Sequence, residues 1–385
     1  MQADIAGTVA PGFEPVKEVF ASLWQDVEVG AGFCAYVEGK PVVDLWGGWT
    51  DREFTQPWQE DTLINIYSTT KGPAALAMAM LHDDGLLDYD APVTHYWPEF
   101  GQSGKDKVTV AQLLSHQGGV CGVDKPLTVP DLYDFDAMVA LIAAQSPLWK
   151  PGTGAGYHAV TWGYLPGELM RHITGKTLGS FLRERVTEPL DADFHLGVQD
   201  EDLSRCAPLI GPNHARRQTE PGTPSATVGP LYEIALTNPS ISPFRDASST
   251  AWRQAEIAAS NGHATARGIA RIYTALAEGG ELDGVRIISP EAINAATQPE
   301  VEAWTDKVQG TVVRRSRGFI LNSGDEYGPG TSPNTFGHAG AGGSTGFADP
   351  DHRIAVGYVM NQMWPGGNAT PRSQRLIKAL YECLR

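Results

Sequence analysis

The sequence of 385 residues lacks a long apolar run and an excess of positive charge. No window approaches 18 uninterrupted apolar residues, whereas about 20 are needed for a helix to span a bilayer. The formal net charge is −16, from 29 Lys and Arg against 45 Asp and Glu. A chain of this charge is repelled by the phosphates of nucleic acids and by anionic lipids. We therefore expect neither a nucleic acid nor a membrane among its partners.

Patterns of cysteine or histidine that would bind a metal are also missing. Cys34, Cys121, Cys206 and Cys383 stand far apart without C-x-x-C spacing, and the ten histidines form no H-E-x-x-H pattern. Scattered cysteines are ordinarily free thiols in a reducing compartment. We expect no metal and no other cofactor. The N-terminus has neither a basic start nor an apolar run of signal-peptide length, so the sequence predicts a cytoplasmic protein.

What is present is an ordinary globular composition, with sheet-like patterns at both ends of the chain. The length suggests two packed lobes. We predict a sheet domain from residues 1–70 and 263–385 and a mainly helical domain from residues 71–262. Residues from about 206 to 262 are rich in Pro, Ser, Thr and Gly. We expect them to form a long irregular loop within the helical domain.

The expected elements follow from the spacing of apolar residues. Residues 30–49 are typical of two strands joined by a Gly-Lys turn, and residues after Arg314 alternate like antiparallel strands. Helical spacing occurs in residues 13–27, 265–280 and 370–384. These patterns predict an α+β fold in which helices flank an antiparallel sheet and a helical lobe is inserted.

A serine lies three residues before a lysine where an alanine-rich helix is predicted to begin. The segment "NIYSTTKG" places Ser68 and Lys71 about one turn apart, with a helix expected from about Lys71 to Leu81. A lysine that loses its charge through burial can accept the proton of a serine nucleophile. The alternative from these residues alone is a helix-capping serine beside a solvated lysine.

Two further segments carry residues suited to the same chemistry. Tyr157 follows a glycine-rich stretch, and His338-Ala339-Gly340 leads into strand-like sequence near the end. With the S-x-x-K motif, these segments resemble the serine β-lactamase and penicillin-binding-protein superfamily, and most closely the class C β-lactamase-like carboxylesterases called family VIII esterases. The resemblance runs over nearly the whole chain. It implies a β-lactamase/transpeptidase-like fold with the site between the sheet and the helical lobe.

The resemblance also implies roles for individual residues. Ser68 would be the nucleophile, Lys71 its base and Tyr157 a proton carrier. The backbone N–H groups of Ser68 and Ala341 would form the oxyanion hole. His338 and Gly340 would belong to the substrate-binding K-T-G motif.

Two positions depart from the β-lactamase pattern. Ala159 stands where β-lactamases have an asparagine that binds the substrate amide, and His338 stands where most have a cationic lysine. Both changes favour small neutral esters over acylamino-carboxylate substrates. His158 could replace the asparagine as a polar substrate contact or could simply be exposed, and we favour exposure.

Other conspicuous residues are interpreted as structural. Gly342-Gly-Ser-Thr-Gly346 satisfies G-x-S-x-G, but a turn and a strand follow it where a nucleophile elbow needs a helix, so Ser344 is expected to be structural. Ser115 and His116 are adjacent on a predicted helix and cannot face each other as a dyad. Four tryptophans could line an acyl pocket, but we favour core packing for each. They are Trp149, Trp162, Trp252 and Trp364.

The sequence therefore predicts a serine carboxylesterase for short-chain, small-molecule esters, with weak β-lactam hydrolysis as a side activity. An amidase, a D-aminopeptidase or a β-lactamase on the same machinery is the alternative among enzymes. A catalytically silent binding or assembly protein is the alternative outside them, although Ser68, Lys71 and Tyr157 are all present. Sequence patterns give no oligomeric state.

Overall fold

A nine-stranded antiparallel sheet built from both ends of the chain forms the centre of the fold. The computed structural model describes residues 3–26, 28–212, 228–324, 326–365 and 370–384. Within them the strand order is β1-β3-β2-β14-β13-β12-β11-β10-β9. The chain enters the sheet with β1 to β3 and returns with β9 to β14, which confirms the predicted antiparallel sheet. The strands of this sheet are β1 (Ile5–Val9), β2 (Gly30–Val37), β3 (Lys40–Gly48), β9 (Val301–Thr305), β10 (Val312–Arg315), β11 (Ile320–Leu321), β12 (Phe336–Ala339), β13 (Thr345–Asp349) and β14 (Ile354–Met360).

The hairpin between β2 and β3 turns one residue earlier than predicted. Val37 pairs with Lys40, so the loop is Glu38-Gly39 and not Gly39-Lys40. Both loop residues have positive φ, 50° and 73°. This is the conformation that two-residue hairpin loops prefer, because its twist matches that of the strands.

Helices cover both faces of the sheet. The α-helices are α1 (Glu14–Asp26), α2 (Lys71–Asp83), α3 (Val110–Leu114), α4 (Phe135–Ala144), α5 (Leu165–Thr174), α6 (Leu178–Leu182), α7 (Tyr232–Leu236), α8 (Thr250–Gln254), α9 (Ala266–Ala277), α10 (Pro290–Ala296) and α11 (Pro371–Glu382). α9 packs on β2, β13 and β14, whereas α1 and α11 pack together over the other face. The predicted helices at both chain ends are thus confirmed.

Glycines let α9 approach the sheet closely. Gly346 and Gly357 are neighbours across β13 and β14. A Cβ at Gly357 would lie 2.2 Å from the carbonyl oxygen of Ala266, and one at Gly346 would lie 2.4 Å from Ile269. Larger residues here would push the helix off the sheet.

α2 is the buried central helix of the second lobe. It runs from Lys71 to Asp83, two residues beyond the predicted end, and Lys71 to Leu81 are all buried. A Cβ at Gly72 would lie 1.9 Å from the Tyr273 hydroxyl of α9, so the first turn of α2 lies directly against the sheet-covering helix. The start of α2 is therefore held at the boundary between the sheet and the helices.

Short elements complete the description. Small strands are β4 (Ile64–Asn65), β5 (Phe194–His195) and β6 (His263–Ala264) in one sheet and β7 (Glu281–Leu282) with β8 (Val285–Arg286) in another. Of the predicted irregular loop, residues 213–227 lie outside the described residues, and the part from 228 to 262 holds only the short helices α7 and α8. The domain boundaries stay a prediction. No helix of the described ranges is long and apolar enough to cross a membrane.

Candidate active site

Ser68 lies in a single 3₁₀ turn, Tyr67–Thr70, that leads directly into α2. Tyr67 has a φ of 42°, which costs energy for any residue other than glycine and often marks a functional turn. The Thr70 hydroxyl holds this conformation by donating a hydrogen bond to the Tyr67 carbonyl and accepting one from the Gly262 N–H. The turn therefore presents Ser68 in one fixed position.

The amine of Lys71 is buried and directed at Ser68. Its Nζ lies 3.3 Å from the Ser68 Oγ, 3.0 Å from the Ala159 carbonyl oxygen and 3.0 Å from the Ala259 carbonyl oxygen. Burial lowers the pKa of Lys71 well below its usual value, and the positive charge of Arg315 lowers it further. A neutral amine has two N–H groups, and each can donate a hydrogen bond to one of the two carbonyl oxygens. Its lone pair then faces the Ser68 hydroxyl.

Tyr157 supplies a protonated phenol beside this pair. Lys71 Nζ lies 4.8 Å from the centroid of its ring. Burial raises the pKa of Tyr157 to about 12, although the nearby Ser68 hydroxyl opposes the rise. The phenol oxygen is buried and has no hydrogen-bond partner of normal geometry among the described residues. Near neutral pH it therefore holds its proton.

The structure contradicts the expected exposure of His158. Its side chain is completely buried. Nε2 accepts the Val120 N–H at 3.1 Å, so Nδ1 carries the proton and donates to the Gly156 carbonyl at 2.7 Å. Burial lowers the pKa of His158 to about 3. Because both ring nitrogens bind the backbone, His158 fixes the turn before the site and is not free to contact substrate.

His338 contributes a buried neutral imidazole at the end of β12. Its Nδ1 donates to the Ala339 carbonyl at 2.8 Å, and its Nε2 has no partner among the described residues. Burial holds the pKa of His338 well below its usual value, and Lys71, whenever it is protonated, opposes a second positive charge there. The ring centroid lies 6.2 Å from that of Tyr157. The group therefore supplies no positive charge near neutral pH.

Gly340 brings the end of β12 against the turn that carries Ser68. A Cβ at this position would lie 2.2 Å from the Ile66 carbonyl oxygen and 2.4 Å from the Ser344 Oγ. Only glycine allows this approach. Neither the Ser68 N–H nor the Ala341 N–H donates a hydrogen bond within the described residues. Both amides are thus available, and their role as oxyanion hole stays a prediction.

Ser344, Ser115 and His116, which the sequence suggests are structural, all make hydrogen bonds to the backbone. The Ser344 hydroxyl is buried and donates to the Ile66 carbonyl at 2.8 Å, which ties β13 to the turn before Ser68. Ser115 Oγ donates to the Ala111 carbonyl, and His116 Nδ1 accepts the His158 N–H, so no dyad exists. Trp162 and Trp252 are fully buried in the main core, as expected, and Trp364 is buried with 6% exposure. Trp149 is half-buried and packs against the apolar cluster around Tyr157, not in the main core.

Sequence reasoning missed the groups that hold Tyr157 and Lys71 from distant parts of the chain. The Asp306 carboxylate accepts the Tyr157 N–H at 3.1 Å and pairs with Arg315. The Ala259 carbonyl holds Lys71 across 188 residues. No local motif points to either contact. Within the described ranges, no group of three or more His, Cys, Asp or Glu side chains could hold a metal ion.

The fold and the serine–lysine pair at the start of α2 define a protein of the β-lactamase/transpeptidase type. The Beta-lactamase family model matches residues 16–380, and the chain belongs to this family. It is 35% identical over 383 residues to Esterase/beta-lactamase LipL of Mycobacterium tuberculosis (strain ATCC 25618 / H37Rv), covering 93% of this chain and 83% of LipL.

Two solved structures are similar over the full length. One is a crystal structure of a family VIII carboxylesterase, with 44% identity, a TM-score of 0.91 and coverage of 99% of this chain and 100% of that one. The other is a penicillin-binding protein homologue from Caulobacter crescentus, with 42% identity, a TM-score of 0.90 and the same coverage. These relatives confirm the resemblance to family VIII carboxylesterases and the expected fold.

Proposed function

We propose that this chain is a serine carboxylesterase that hydrolyses short-chain esters through an acyl-enzyme on Ser68. The observation that carries the proposal is the buried Lys71 amine, held by two carbonyls and directed at the Ser68 hydroxyl. The similarity to LipL and to the family VIII carboxylesterase supports ester hydrolysis as the reaction. Ser68, Lys71 and Tyr157 are the residues to which we assign the chemistry.

In the acylation step, neutral Lys71 takes the Ser68 proton as Oγ attacks the ester carbonyl carbon. The negative charge that develops on the carbonyl oxygen is placed at the N–H groups of Ser68 and Ala341. Such donors are each worth about 10²–10³ in rate. As the tetrahedral intermediate collapses, Tyr157 gives its proton to the leaving alcohol and regains one from protonated Lys71. The acyl group is then on Ser68, and Lys71 is neutral again.

Deacylation reverses these proton transfers with water in place of the alcohol. Neutral Lys71, acting through or beside Tyr157, takes a proton from the water as its oxygen attacks the acyl carbon. Collapse of the second intermediate returns that proton to the Ser68 Oγ and releases the carboxylic acid. The unpartnered Tyr157 hydroxyl fits a group that serves both the alcohol and the water.

The groups around the site favour a neutral substrate. His338 is buried and its pKa is held below the usual value, so it gives a substrate carboxylate no cation to pair with. Ala159 offers a methyl group where β-lactamases have an amide, and its carbonyl holds Lys71. Apolar side chains around Tyr157, including Val308, Leu231 and Ala235, suit a small acyl or alkyl group. These features support esters as the main substrates, with weak β-lactam hydrolysis.

A hydrolysis panel tests this function. We would measure p-nitrophenyl esters from C2 to C12, nitrocefin and a D-alanyl amide, and expect kcat/KM to be highest for the short esters. A serine-directed phosphonate should label Ser68, and Ser68→Ala should reduce activity to near background. Ser332→Ala is the matched control for a buried serine, because its hydroxyl bonds Thr335 and Asn334 and not the turn that carries Ser68. A phosphonate label on Ser344 would overturn the assignment. A preference for nitrocefin or the amide would replace the esterase function by one of its enzyme alternatives.

The place of action is also part of the proposal. We propose that the enzyme works in the cytoplasm, as its sequence predicts, and that small-molecule esters are its substrates. The four cysteines are free thiols in the structure, three of them buried, which suits a reducing compartment.

A further inference from the structure

A buried ion pair lies against the ring of Tyr157. The Arg315 Nη1 lies 2.7 Å from the Asp306 Oδ2, and the two side chains are 2% and 0% exposed. The guanidinium carbon of Arg315 lies 5.4 Å from the Tyr157 ring centroid, and Lys71 Nζ lies 4.8 Å from the same centroid. One phenol ring therefore contacts a permanent cation and the amine that we assign as the base.

Asp306 fixes the backbone on which Tyr157 is carried. Its Oδ1 accepts the N–H of Tyr157 at 3.1 Å and also those of Val308 and Gln309. The neighbouring Lys307 N–H donates to the Ala155 carbonyl at 2.9 Å. The turn between β9 and β10 is thus bound at two points to the turn before Tyr157.

Stability alone does not explain why charges occupy this position. A buried ion pair pays a large desolvation cost, and well-packed apolar residues often serve a fold equally well. We propose that Arg315 is a positioning residue of the site, held by Asp306, that fixes the Tyr157 ring and keeps a permanent positive charge beside Lys71. This inference rests on the proposed function, in which neutral Lys71 is the base.

The positive charge of Arg315 lowers the pKa of Lys71, which is what a neutral base requires. Arginine stays protonated at any working pH. Because Lys71 Nζ and the Arg315 guanidinium carbon lie 4.8 and 5.4 Å from the centroid of one ring, they are at most about 10 Å apart, which is close enough for Arg315 to repel the protonated form of Lys71. At an effective dielectric constant of about 20, that repulsion is worth about one pKa unit or more on Lys71. It adds to the effect of burial.

The other titratable groups around Lys71 are uncharged near neutral pH. The imidazoles have pKa values lowered by burial, and the phenol of Tyr157 has a raised one. These imidazoles belong to His116, His158 and His338. On the Arg315 side, Asp306 and Glu326 are the carboxyl groups on which its charge acts. Arg315 is therefore the charged group expected to set the protonation of Lys71 beyond burial.

The test is the acidic limb of the pH profile of kcat/KM for p-nitrophenyl acetate. Protonation of Lys71 stops the reaction, so a higher Lys71 pKa moves this limb to higher pH. Arg315→Gln should move it up by about one pH unit, whereas Arg315→Lys, which keeps the charge, should leave it near the wild-type position. Asp306→Asn removes the opposing charge and should move the limb to lower pH.

Arg317→Gln is the matched control. Arg317 lies two residues further along, pairs with Glu300 at 2.7 Å and contacts the ring of Tyr89. Its charge is not among those that lower the pKa of Lys71. It should leave the limb unchanged. An unmoved limb in folded Arg315→Gln, or an equal movement in Arg317→Gln, overturns the proposal. If Arg315→Gln does not fold, Asp306→Asn and Arg315→Lys test the proposal in its place. A shift of the acidic limb to higher pH in either variant contradicts the role of Arg315.

The same series separates this inference from the proposed function. Ser68→Ala and Lys71→Ala should abolish activity whatever the role of Arg315. Full activity in either variant overturns the assignment of the nucleophile or the base. Loss of activity in both, together with an unmoved limb in Arg315→Gln, overturns only the role of Arg315.

Discussion

The carbonyl oxygen of Ala159 accepts a hydrogen bond from Lys71 Nζ at 3.0 Å. The residue that lacks the β-lactamase asparagine therefore still holds the lysine, but through its backbone. The support of the base is independent of the side chain at position 159. We therefore expect the alanine to change substrate specificity while leaving the proton transfer intact.

The first prediction concerns the coupling of Lys71 and Tyr157. Residues that act as one unit show strongly non-additive effects on kcat. Because the Lys71 amine lies over the Tyr157 ring and we assign both groups to one proton transfer, Lys71→Ala/Tyr157→Phe should be little slower than the poorer single variant. Steady-state kinetics of the three variants provide the measurement.

Tyr164→Phe is the control for losing a buried phenol hydroxyl. The Tyr164 hydroxyl donates to the Leu132 carbonyl at 2.7 Å and bonds neither Ser68 nor Lys71. It should alter stability without a comparable loss of kcat. Fully multiplicative losses in the Lys71→Ala/Tyr157→Phe variant would count against the coupling.

The second prediction concerns Gly340. Because a Cβ would lie 2.2 Å from the Ile66 carbonyl oxygen, Gly340→Ala should push β12 away from the Ser68 turn. A displacement of about 1 Å at a catalytic site costs on the order of 10²-fold in rate. We expect a loss of that size in kcat/KM for p-nitrophenyl acetate. Gly211→Ala, where a Cβ meets nothing within 4 Å, should keep wild-type activity, and equal activity in both variants would show that the close approach is dispensable.

The local part of the site could be predicted from the sequence, and the distant part could not. Ser68 and Lys71 are three residues apart, so one helical turn brings them together whatever the rest of the chain does. The Asp306 contact to Tyr157 spans 149 residues and depends on a β-turn packing against a loop. Neither segment contains a sequence pattern that predicts this contact.

The error at His158 has a different cause. A histidine beside a substrate motif is usually at least partly exposed. Here its ring is satisfied by the Gly156 carbonyl, two residues away, and by the Val120 N–H. Burying a polar ring is inexpensive when both nitrogens find partners. The sequence does not reveal the second partner, because Val120 lies 38 residues earlier.

The third prediction follows from His158 and acid stability. Its pKa is about 3 in the folded protein and about 6.5 in the unfolded chain. Between these values the unfolded state binds more protons, so stability is lost as the pH falls below about 6.5. At pH 5 the free energy of unfolding is expected to be lower by about 2 kcal/mol because of this one group.

Urea unfolding of wild type and His158→Gln at pH 7 and pH 5 measures this effect. The variant is expected to be less stable at pH 7 but to lose less stability on acidification. His95→Gln, at an exposed histidine, should keep the wild-type difference between the two pH values. An identical pH dependence in wild type and His158→Gln would contradict the prediction.

The fourth prediction concerns the choice between esters and β-lactams. An unmet hydrogen bond to a substrate amide forfeits about 0.5–1.5 kcal/mol, and a missing cation for a carboxylate forfeits about 1.5–3 kcal/mol. We expect Ala159 and His338 to cause both losses for a lactam and neither loss for a neutral ester. Because the Ala159 backbone holds Lys71, Ala159→Asn should add a substrate contact without removing support of the base. His338→Lys should add the cation, at some cost in rate because it lies near Lys71.

We therefore expect the ratio of kcat/KM for nitrocefin to that for p-nitrophenyl acetate to rise in each single variant and most in the double variant. Ratios separate specificity from general damage, since a disturbed Lys71 slows both substrates alike. A ratio that falls in the double variant would show that these two positions do not set the preference for esters.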